Sequence, residues 1–477
     1  MRKLLLIPLA IFALIVGFAL VSKAQNKTGG ESASPAATLY ADKCASCHGT
    51  SIDGGSAKSL ASSDYEFAKT NTEIIQLVKD GNVEMGMPGF AATLTDAQIL
   101  DIVEYAKSTP TMNKVTPATD APRIADDALN FETWVSGLDT PWSVEFLGPD
   151  LALVTEVKGD LYQIKDGKKL DNPVENTPEV WASGQGGLLD VAIDPDFADN
   201  GWIYLGFSHP VKSGSDKAMT KIIRGKIIDD AWQNEQVLFE AKPEHYVKAR
   251  THFGNRIIFD EDGHLYFSIG DRGQMKQAQD ITRPNGKIHR IMRDGSIPAD
   301  NPFVDNPKAY ASIFSYGNRN PQGLAYADGR IWATEHGPKG GDELNLIESG
   351  KNYGWPVISY GRNYSGTELT PYTHKPDMEQ PVSQWTPSIA ACGLDVVRGD
   401  LFKDWEGSLL AGALRYEELR LIKLDDGAYV DETILLKDRG RVRDVSMGPD
   451  GAIYVVMNSP GEILRITPKT KGGDTQE

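Results

Sequence analysis

The chain has 477 residues, too long for one typical domain, and its 40% hydrophobic and 24% charged residues exclude a wholly disordered protein. The 66 acidic and 49 basic residues give a net charge of −17, which argues against nucleic acid or an anionic membrane as the main partner. Three cysteines exclude a disulfide framework, and 47 glycines indicate many tight turns and therefore many short strands.

The first residues have the features of an export signal. Arg2 and Lys3 precede an uncharged apolar run over residues 4–21, and Ser22-Lys23-Ala24 offers a small-x-small cleavage site. We predict a signal peptide over residues 1–24 and a periplasmic or secreted location. The apolar run is also just long enough for the alternative, a retained membrane anchor.

A haem attachment motif follows at residues 44–48, where Cys44-Ala-Ser-Cys47-His48 reads C-x-x-C-H. Each thiol can add to one haem vinyl group, and His48 is then placed to bind iron from one face. A zinc site would need a second C-x-x-C, but the third cysteine is the isolated Cys392. A thioredoxin-like redox pair would need a surrounding βαβ pattern, which the sequence lacks here. The motif therefore predicts covalent haem c.

The second iron ligand is predicted in the segment N-V-E-M-G-M-P-G-F, residues 82–90. A Met-Pro loop before a C-terminal helix resembles small monohaem cytochromes c, and this resemblance implies Met87 as the ligand, with Met85 as the alternative. His/Met ligation leaves no open position, which suits electron transfer rather than oxygen chemistry. Thr95 then begins an apolar-periodic helix, with Gln98 completing a capping box. We predict a small all-α cytochrome c domain over residues 25–108.

A polar linker is predicted over residues 109–127, with three prolines and no apolar periodicity. Beyond it, six pairs of short apolar runs recur, each pair separated by an acidic or glycine turn. The first runs of the pairs contain Val144, Val191, Ile257, Leu324, Val396 and Val445. Hairpin-based repeats of this kind predict a mainly-β fold, a six-bladed β-propeller over residues 128–468 followed by a tail over 469–477. A large β-sandwich is the alternative.

Polar side chains flank several of these runs. The first strand of each propeller blade lines the central channel, so residues that enter these strands meet at one mouth of the channel. The candidates are Gln185, His252, Arg319, Asn320, Arg415, Arg441 and Arg443. Converging guanidinium groups would repel one another without a counter-charge, which predicts an anionic ligand.

Longer segments make a family resemblance specific. They are GQGGLLDVAIDPDF, HFGNRIIFDEDGHLYFSIGDRG, SYGNRNPQGLA, EHGPKGGDELNLI with NYGWP, and GRVRDV with PDG. Over residues 131–467 they resemble the pyrroloquinoline quinone (PQQ)-dependent soluble glucose and aldose sugar dehydrogenases, which are six-bladed propellers. The resemblance implies oxidation of an aldose at C1 to the lactone with PQQ and Ca²⁺. Electrons would pass to the chain's own haem c and then to a downstream cytochrome or copper protein.

The resemblance also implies roles for single residues. His252 would be the general base, Asp271 the carboxylate that orients it, and Arg319 a cation that stabilises the developing oxyanion. The implied PQQ contacts are Gln185, Arg319, Asn320, Arg415, Arg441 and Arg443. The implied calcium ligands are the carbonyl oxygens of Gly337 and Pro338 beside the cofactor, and Glu343 with the Tyr353 carbonyl at a second, structural site. Neutral imidazole suits proton removal near neutral pH, and a carboxylate on its other nitrogen fixes the tautomer.

Two positions depart from the family pattern. Thr251 stands where the glucose enzymes carry an acidic residue, and Arg415 stands where the family has lysine. Cys392 is interpreted as a buried small hydrophobe, and the remaining histidines, His336 among them, as ordinary structural residues.

Two further function classes stay open at this point. One is a non-catalytic redox or ligand sensor, against which the His252–Asp271 pair argues, because a binding module has no use for a base. The other is a calcium-dependent, lactonase-like hydrolase. The arginine cluster argues against that class, since a hydrolytic calcium site is built from carboxylates and amides.

Overall fold

The structure is a computed structural model that describes residues 34–48, 70–82, 87–108, 121–125 and 127–469. The predicted signal segment, Met85 and most of the predicted linker lie outside the described residues, as does the side chain of Cys47. No helix within those described ranges combines the length and the apolar character needed to cross a membrane.

The N-terminal region is helical, as predicted. Its helices are α1 (Pro35–Lys43), α2 (Ala45–His48), α3 (Asn71–Asp80) and α4 (Asp96–Ser108). The predicted capping box at the start of α4 is confirmed, because the Thr95 N–H donates to Gln98 Oε1 at 2.9 Å and the Gln98 N–H donates to Thr95 Oγ1 at 3.3 Å. The apolar faces of α1 and α4 meet in a small core that includes Tyr40, Leu94, Ile99, Ile102 and Val103.

The loop that carries Met87 is closed by backbone hydrogen bonds. Asn82 and Met87 exchange two of them, each 2.8 Å long. Gly81 ends α3 with φ +74°, and a Cβ there would lie 2.7 Å from the Met87 carbonyl oxygen. Glycine at this position therefore permits the close approach of the half-buried Met87 to the end of α3.

Residues 127–469 form six four-stranded antiparallel sheets, here called blades 1 to 6. Blade 1 contains β2 (Pro141–Gly148), β3 (Leu151–Glu156), β4 (Leu161–Lys165) and β5 (Lys168–Lys169). Blade 2 contains β6 (Leu188–Ile193), β7 (Ile203–Pro210), β8 (Ala218–Ile228) and β9 (Ala231–Glu240), with the short helix α5 (Phe197–Asn200) between its first two strands. Blade 3 contains β10 (Ile257–Phe259), β11 (His264–Ile269), β12 (Lys287–Met292) and β13 (Ile313–Tyr316).

Blade 4 contains β14 (Pro321–Ala327), β15 (Arg330–Glu335), β16 (Asp342–Ile347) and β17 (Ser383–Trp385). Blade 5 contains β18 (Ala391–Val396), β19 (Leu409–Ala413), β20 (Glu418–Asp425) and β21 (Ala428–Lys437). Blade 6 contains β22 (Val442–Met447), β23 (Ile453–Met457), β24 (Glu462–Pro468) and, as its outer strand, β1 (Leu129–Ser136). This is the predicted six-bladed propeller, and the six predicted hairpins are the inner two strands of the blades.

The ring is closed by the two ends of the propeller sequence. The strand β1 pairs antiparallel with β24, in a register that runs from Leu129 opposite Pro468 to Ser136 opposite Glu462. This pairing completes blade 6 with the N-terminal strand of the propeller and so joins the two ends of the ring.

Neighbouring blades pack face to face, which explains why the inner strands are buried on both faces. Every residue of β19 and β23 is buried, and Leu410, Val445 and Val455 meet in one core cluster between blades 5 and 6. Each fully buried aliphatic side chain of this kind contributes about 1.5–3 kcal/mol. The ring is therefore held by six such layers of apolar contact rather than by one central core.

The last residues of the predicted linker already belong to the propeller. The Ile124 N–H donates to the Ile434 carbonyl at 3.0 Å, and the Ile434 N–H donates to the Pro122 carbonyl at 2.8 Å. These bonds attach the chain to β21, the outer strand of blade 5. The predicted linker runs to residue 127, but Pro122 and Ile124 already belong to the propeller.

Candidate active site

A histidine–aspartate pair lies at the mouth from which the inner strands begin. His252 precedes β10, and its Nδ1 lies 2.6 Å from Oδ1 of Asp271, whose side chain is fully buried. An ionised carboxylate only accepts, so the neutral imidazole carries its proton on Nδ1 and leaves Nε2 as the free acceptor. The His252 N–H donates to Gln185 Oε1 at 2.7 Å. Gln185 precedes the first strand of blade 2, so blades 2 and 3 both contribute residues to this mouth.

The backbone around His252 is held in an unusual conformation. His252 has φ +56°, which side chains rarely adopt without support from their surroundings. The buried Arg272 supplies that support, because its guanidinium donates to the carbonyl oxygens of Ala249, at 2.7 Å, and Thr251. Gly270 permits the close approach, since a Cβ there would lie 2.4 Å from the His252 carbonyl oxygen.

Electrostatics set the protonation states of the pair. Burial lowers the pKa of His252 below its usual value, and the hydrogen bond to Asp271 only partly offsets this. Burial alone would raise the pKa of Asp271. The pKa is instead held below its usual value by the hydrogen bond and charge of His252, the charge of Arg319 and the hydrogen bond from Trp355. At neutral pH the pair is therefore a neutral imidazole beside a carboxylate, the form in which a histidine accepts a proton.

Two of the predicted arginines line the same mouth. Arg319 donates through Nη1 to the His336 carbonyl at 3.0 Å, and its guanidinium carbon lies 5.3 Å from the ring centre of Trp355. Arg443 donates through Nη1 to Gln322 Oε1 at 2.9 Å and lies 3.3 Å from the Cys392 sulfur. Cys392 is buried as predicted, but its sulfur faces this polar group rather than an apolar cluster.

The predicted site residues differ in how firmly hydrogen bonds hold them at the mouth. The Asn320 Oδ1 accepts from the Gly254 N–H at 3.1 Å, and the Asp271 N–H donates to the Arg319 carbonyl at 2.7 Å, so blades 3 and 4 meet directly here. Arg441 and Arg415 are exposed: Arg441 lies beside Arg443, and Arg415 lies on the turn after β19.

Several buried nitrogens at this mouth have no hydrogen-bond partner among the described residues. They include Nε of Arg319, Nε2 of His336 and Nε of Arg443. Buried polar groups are almost always paired, so unpaired donors and acceptors at one mouth indicate a ligand with complementary oxygens. An anionic ligand with several oxygens, such as PQQ, fits this set of partners.

His336 was interpreted from the sequence as an ordinary structural residue. The structure instead places it at the mouth, near Arg319, Arg443 and His252. Burial, together with the charges of Arg319 and Arg443, holds the pKa of His336 well below its usual value, so it is a neutral imidazole among cations. The signal in the sequence was its position directly before Gly337 and Pro338, the residues implied to bind calcium.

The loop from Gly337 to Gly341 is shaped to expose carbonyl oxygens. The Gly337 N–H donates to Asp342 Oδ1 at 2.9 Å, and a Cβ at Gly337 would lie 2.2 Å from the carbonyl oxygens of Gly340 and Gly341. Within the described residues, the carbonyl oxygens of Gly337 and Pro338 accept no backbone hydrogen bond. Free carbonyl oxygens are ligands that Ca²⁺ accepts, so this loop fits the implied ion.

The second implied calcium site coincides with a pair of like charges. Glu335 and Glu343 are direct cross-strand partners on β15 and β16, an arrangement that destabilises a sheet without a counter-charge. Burial and the charge of Glu335 raise the pKa of Glu343 well above its usual value. Asn345 Nδ2 donates to both carboxylates at 3.1 Å, while its Oδ1 and that of Asn318 have no partner among the described residues. This oxygen-rich set fits a hard cation.

The opposite end of the channel is chemically different. A cavity of about 880 Å³ opens where the inner strands end and is lined by carboxylates that include Glu145. Burial and the charge of Asp190 raise the pKa of Glu145 to about 8. Arg256, paired with Asp190 at 2.7 Å and with Asp444 at 2.9 Å, lies in this part of the channel. We place the reacting groups at the other mouth, because the His252–Asp271 pair and the unpartnered nitrogens lie there.

Comparisons with known proteins match the propeller and the N-terminal region to two different families. Residues 138–465 match the family described as Glucose / Sorbosone dehydrogenase. Residues 31–105 match the family described as Cytochrome C oxidase, cbb3-type, subunit III. The chain is 39% identical over 355 residues to Aldose sugar dehydrogenase YliI of Escherichia coli K12, which covers 72% of this chain and 94% of the relative.

Two solved structures extend the comparison. The apo-form crystal structure of the soluble aldose sugar dehydrogenase from Escherichia coli has a TM-score of 0.68 at 37% identity and covers 72% of this chain and all of its own. The PQQ-bound aldose sugar dehydrogenase from Streptomyces coelicolor has a TM-score of 0.59 at 28% identity, with coverage of 72% and 100%. The chain belongs to the glucose/sorbosone dehydrogenase family and carries a cytochrome c domain ahead of its propeller.

Proposed function

We propose that the protein is a PQQ-dependent aldose dehydrogenase that passes the electrons from sugar oxidation to its own haem c. The observation that carries this proposal is the His252–Asp271 pair, 2.6 Å apart, at a channel mouth where several arginine and histidine nitrogens find no partner in the part of the chain that the structure describes. A relative that binds PQQ and the sugar dehydrogenases among the relatives support the substrate and cofactor classes.

The protein residues perform the proton chemistry. His252 accepts the C1 hydroxyl proton on Nε2, and Asp271 fixes the tautomer and stabilises the imidazolium that forms. Arg319, buried beside the pair, supplies positive charge where negative charge develops on an oxygen in the mouth. PQQ, when bound, supplies the acceptor for the hydride that leaves C1, so that the sugar becomes a lactone.

The residues that would hold PQQ are those at the mouth. They are Gln185, Arg319, Asn320, Arg415, Arg441 and Arg443, to which the structure adds His336 as a candidate. The free carbonyl oxygens of Gly337 and Pro338 would hold Ca²⁺ beside it, and Glu343 with the Tyr353 carbonyl would hold the structural Ca²⁺, with Glu335 directly opposite Glu343.

Cys44 and Cys47 would attach the haem covalently, and His48 with Met87 would ligate its iron. Haem c, when bound, carries single electrons to a downstream cytochrome or copper protein. The predicted signal peptide supports a location outside the cytoplasm, which we include in the proposal.

The proposal is tested by reconstitution. Haem absorbance is recorded after PQQ, Ca²⁺ and an aldose are added to the purified protein, with an open-chain polyol, which lacks a C1 hemiacetal, as the control. We expect haem reduction with the aldose only, and only when PQQ is present. Reduction without PQQ, or none with any aldose tested, would refute the proposal. Lactone hydrolysis by the PQQ-free, Ca²⁺-loaded protein would favour the hydrolase alternative.

The haem ligands give a separate prediction. The haem should stay attached through acid-acetone extraction, and Met87→Leu should lower the reduction potential, because loss of the thioether removes the ligand that raises it. The measurement is a potentiometric titration together with the sulfur-to-iron absorption band. Met85→Leu is the matched control and should leave both unchanged; the reverse result would assign the ligand to Met85. Haem that can be extracted would contradict the cytochrome assignment.

The calcium sites predict an effect on stability. In the absence of Ca²⁺ the raised pKa of Glu343 means that the folded protein binds more protons than the unfolded chain, so stability should fall as pH rises above the usual glutamate pKa. Added Ca²⁺ at a hundredfold excess over its Kd should restore about 2.7 kcal/mol.

The measurement is the thermal unfolding midpoint with and without Ca²⁺ at several pH values. Glu343→Gln should reduce the calcium-dependent increase, whereas Glu132→Gln, which changes an exposed glutamate, should not. An equal calcium response in all three proteins would contradict a structural ion at Glu343.

A further inference from the structure

The fully buried Asp271 carboxylate has a second side-chain partner besides His252. Its Oδ2 accepts a hydrogen bond from the indole Nε1–H of Trp355 at 2.8 Å, while its Oδ1 accepts from the Gly273 N–H at 2.7 Å and lies 2.6 Å from His252 Nδ1. Both carboxylate oxygens are therefore engaged, and the plane of the carboxylate is determined from two sides.

Trp355 is itself rigidly placed. Its side chain is buried, its N–H donates to the Gly317 carbonyl at 2.8 Å, and its carbonyl accepts from Gln279 Nε2 at 2.8 Å. These bonds connect the loop after β16 to the segment just before Arg319 and to the turn after Asp271. The guanidinium carbon of Arg319 also lies 5.3 Å from the indole ring centre, within the range of a cation–π contact.

We propose that Trp355 is a positioning residue for the base: its indole N–H holds the Asp271 carboxylate so that Oδ1 faces His252 Nδ1, and its ring supports the Arg319 guanidinium. This inference deepens the proposed function and depends on it for its catalytic consequence. The hydrogen-bond arrangement, however, exists in the protein without PQQ or sugar and can be tested there.

The indole also changes how strongly Asp271 acts on His252. A hydrogen bond to Oδ2 neutralises part of the carboxylate charge, so its removal leaves a stronger negative charge beside the imidazolium. The other charged or titratable groups near His252 are Arg272, Arg319 and His336. Replacement of Trp355 by phenylalanine keeps all three of these groups and an aromatic ring beside Arg319. Loss of the indole N–H should therefore raise the pKa of His252 by roughly one pH unit.

The test follows His252 by NMR in the apoprotein labelled at histidine nitrogens. Trp355→Phe should move the His252 titration upward by roughly one pH unit, and the acidic limb of the kcat/KM profile of the reconstituted enzyme should move with it. We expect kcat to fall about tenfold while the KM for the aldose changes little, because Trp355 acts here through the base.

Trp385 offers a matched control. Its Nε1–H also donates to a buried carboxylate, Glu432 Oε2, at 3.0 Å, and its side chain is 1% exposed. Trp385→Phe removes the same kind of hydrogen bond from a carboxylate other than Asp271, in the core cluster between blades 4 and 5, so it should lower stability without moving the His252 titration. If Trp355→Phe leaves that titration in place, or if both variants move it equally, the inference is wrong.

A measurement on the unmutated protein covers the case in which Trp355→Phe does not fold. The indole N–H resonance of Trp355 should follow the titration of His252, because the two groups share one carboxylate, while that of Trp385 should not. An invariant Trp355 resonance would overturn the inference. Whether the unmutated enzyme oxidises an aldose at all is scored separately, so failure of the proposed function is distinguishable from failure of this inference.

Discussion

Replacing His252 with alanine is expected to lower kcat/KM for aldose oxidation by at least about a hundredfold, with PQQ affinity nearly unchanged. A positioned general base contributes about 10²–10⁴-fold, and each factor of ten corresponds to about 1.4 kcal/mol of barrier. His252 Nε2 is the free acceptor of the pair, so its loss removes the proton acceptor while the arginines at the mouth remain. The measurements are steady-state kinetics with an artificial electron acceptor and a PQQ titration of the apoprotein.

The backbone at this position calls for a second variant. Because His252 has φ +56°, alanine there costs about 1 kcal/mol or more of stability, independent of any chemistry. His252→Asn tolerates the same conformation but cannot act as the base, so it should lose activity with a smaller loss of stability.

The same blade provides a control for the histidine–aspartate contact itself. His264 Nδ1 lies 2.7 Å from Asp260 Oδ2 in the turn between β10 and β11, at the opposite end of the channel. His264→Ala therefore removes a pair of similar geometry without touching the mouth, and activity should be retained. Full activity in both His252 variants would place the base elsewhere and contradict the assignment.

Cleaving the linker is expected to slow haem reduction by sugar about a thousandfold at micromolar protein. The predicted cytochrome segment, up to Pro110, carries six basic and eleven acidic residues, a net charge of −5, and the chain after it carries −15. Two bodies of the same sign are not steered toward each other. A short tether instead holds them at an effective concentration in the roughly millimolar range.

The cut is best placed before the attachment of Pro122 and Ile124 to β21, for instance at an inserted protease site beside Pro117. Sugar oxidation with an artificial dye should be unchanged, because the His252–Asp271 pair is intact. Haem reduction should become bimolecular and rise in proportion to protein concentration. The uncut protein with the same insertion is the control. Severed halves that react as fast as the intact chain, with no concentration dependence, would instead demonstrate a stable docked interface.

Much of the fold and of the candidate site can be predicted from short-range sequence patterns. The six inner hairpins could be predicted because apolar runs, acidic turns and glycines are local signals. The capping box at Thr95 and the haem motif at Cys44 are local signals as well. His252 and Asp271 were identified through their family resemblance, and the structure places them 2.6 Å apart. The arginine-rich mouth followed from the rule that the first strands line the channel.

Other features were decided only by contacts between distant parts of the chain. Leu129 pairs with Pro468 to close the ring, and nothing in the sequence near either residue specifies the other. Trp355 reaches Asp271 across 84 positions, and His336 lies among arginines of other loops. Glu335 and Glu343 became a like-charged pair only through the register of β15 against β16. Residue type and spacing determine which local elements form, whereas the packing of six blades around one axis decides which side chains meet, because that packing depends on surfaces far apart in sequence.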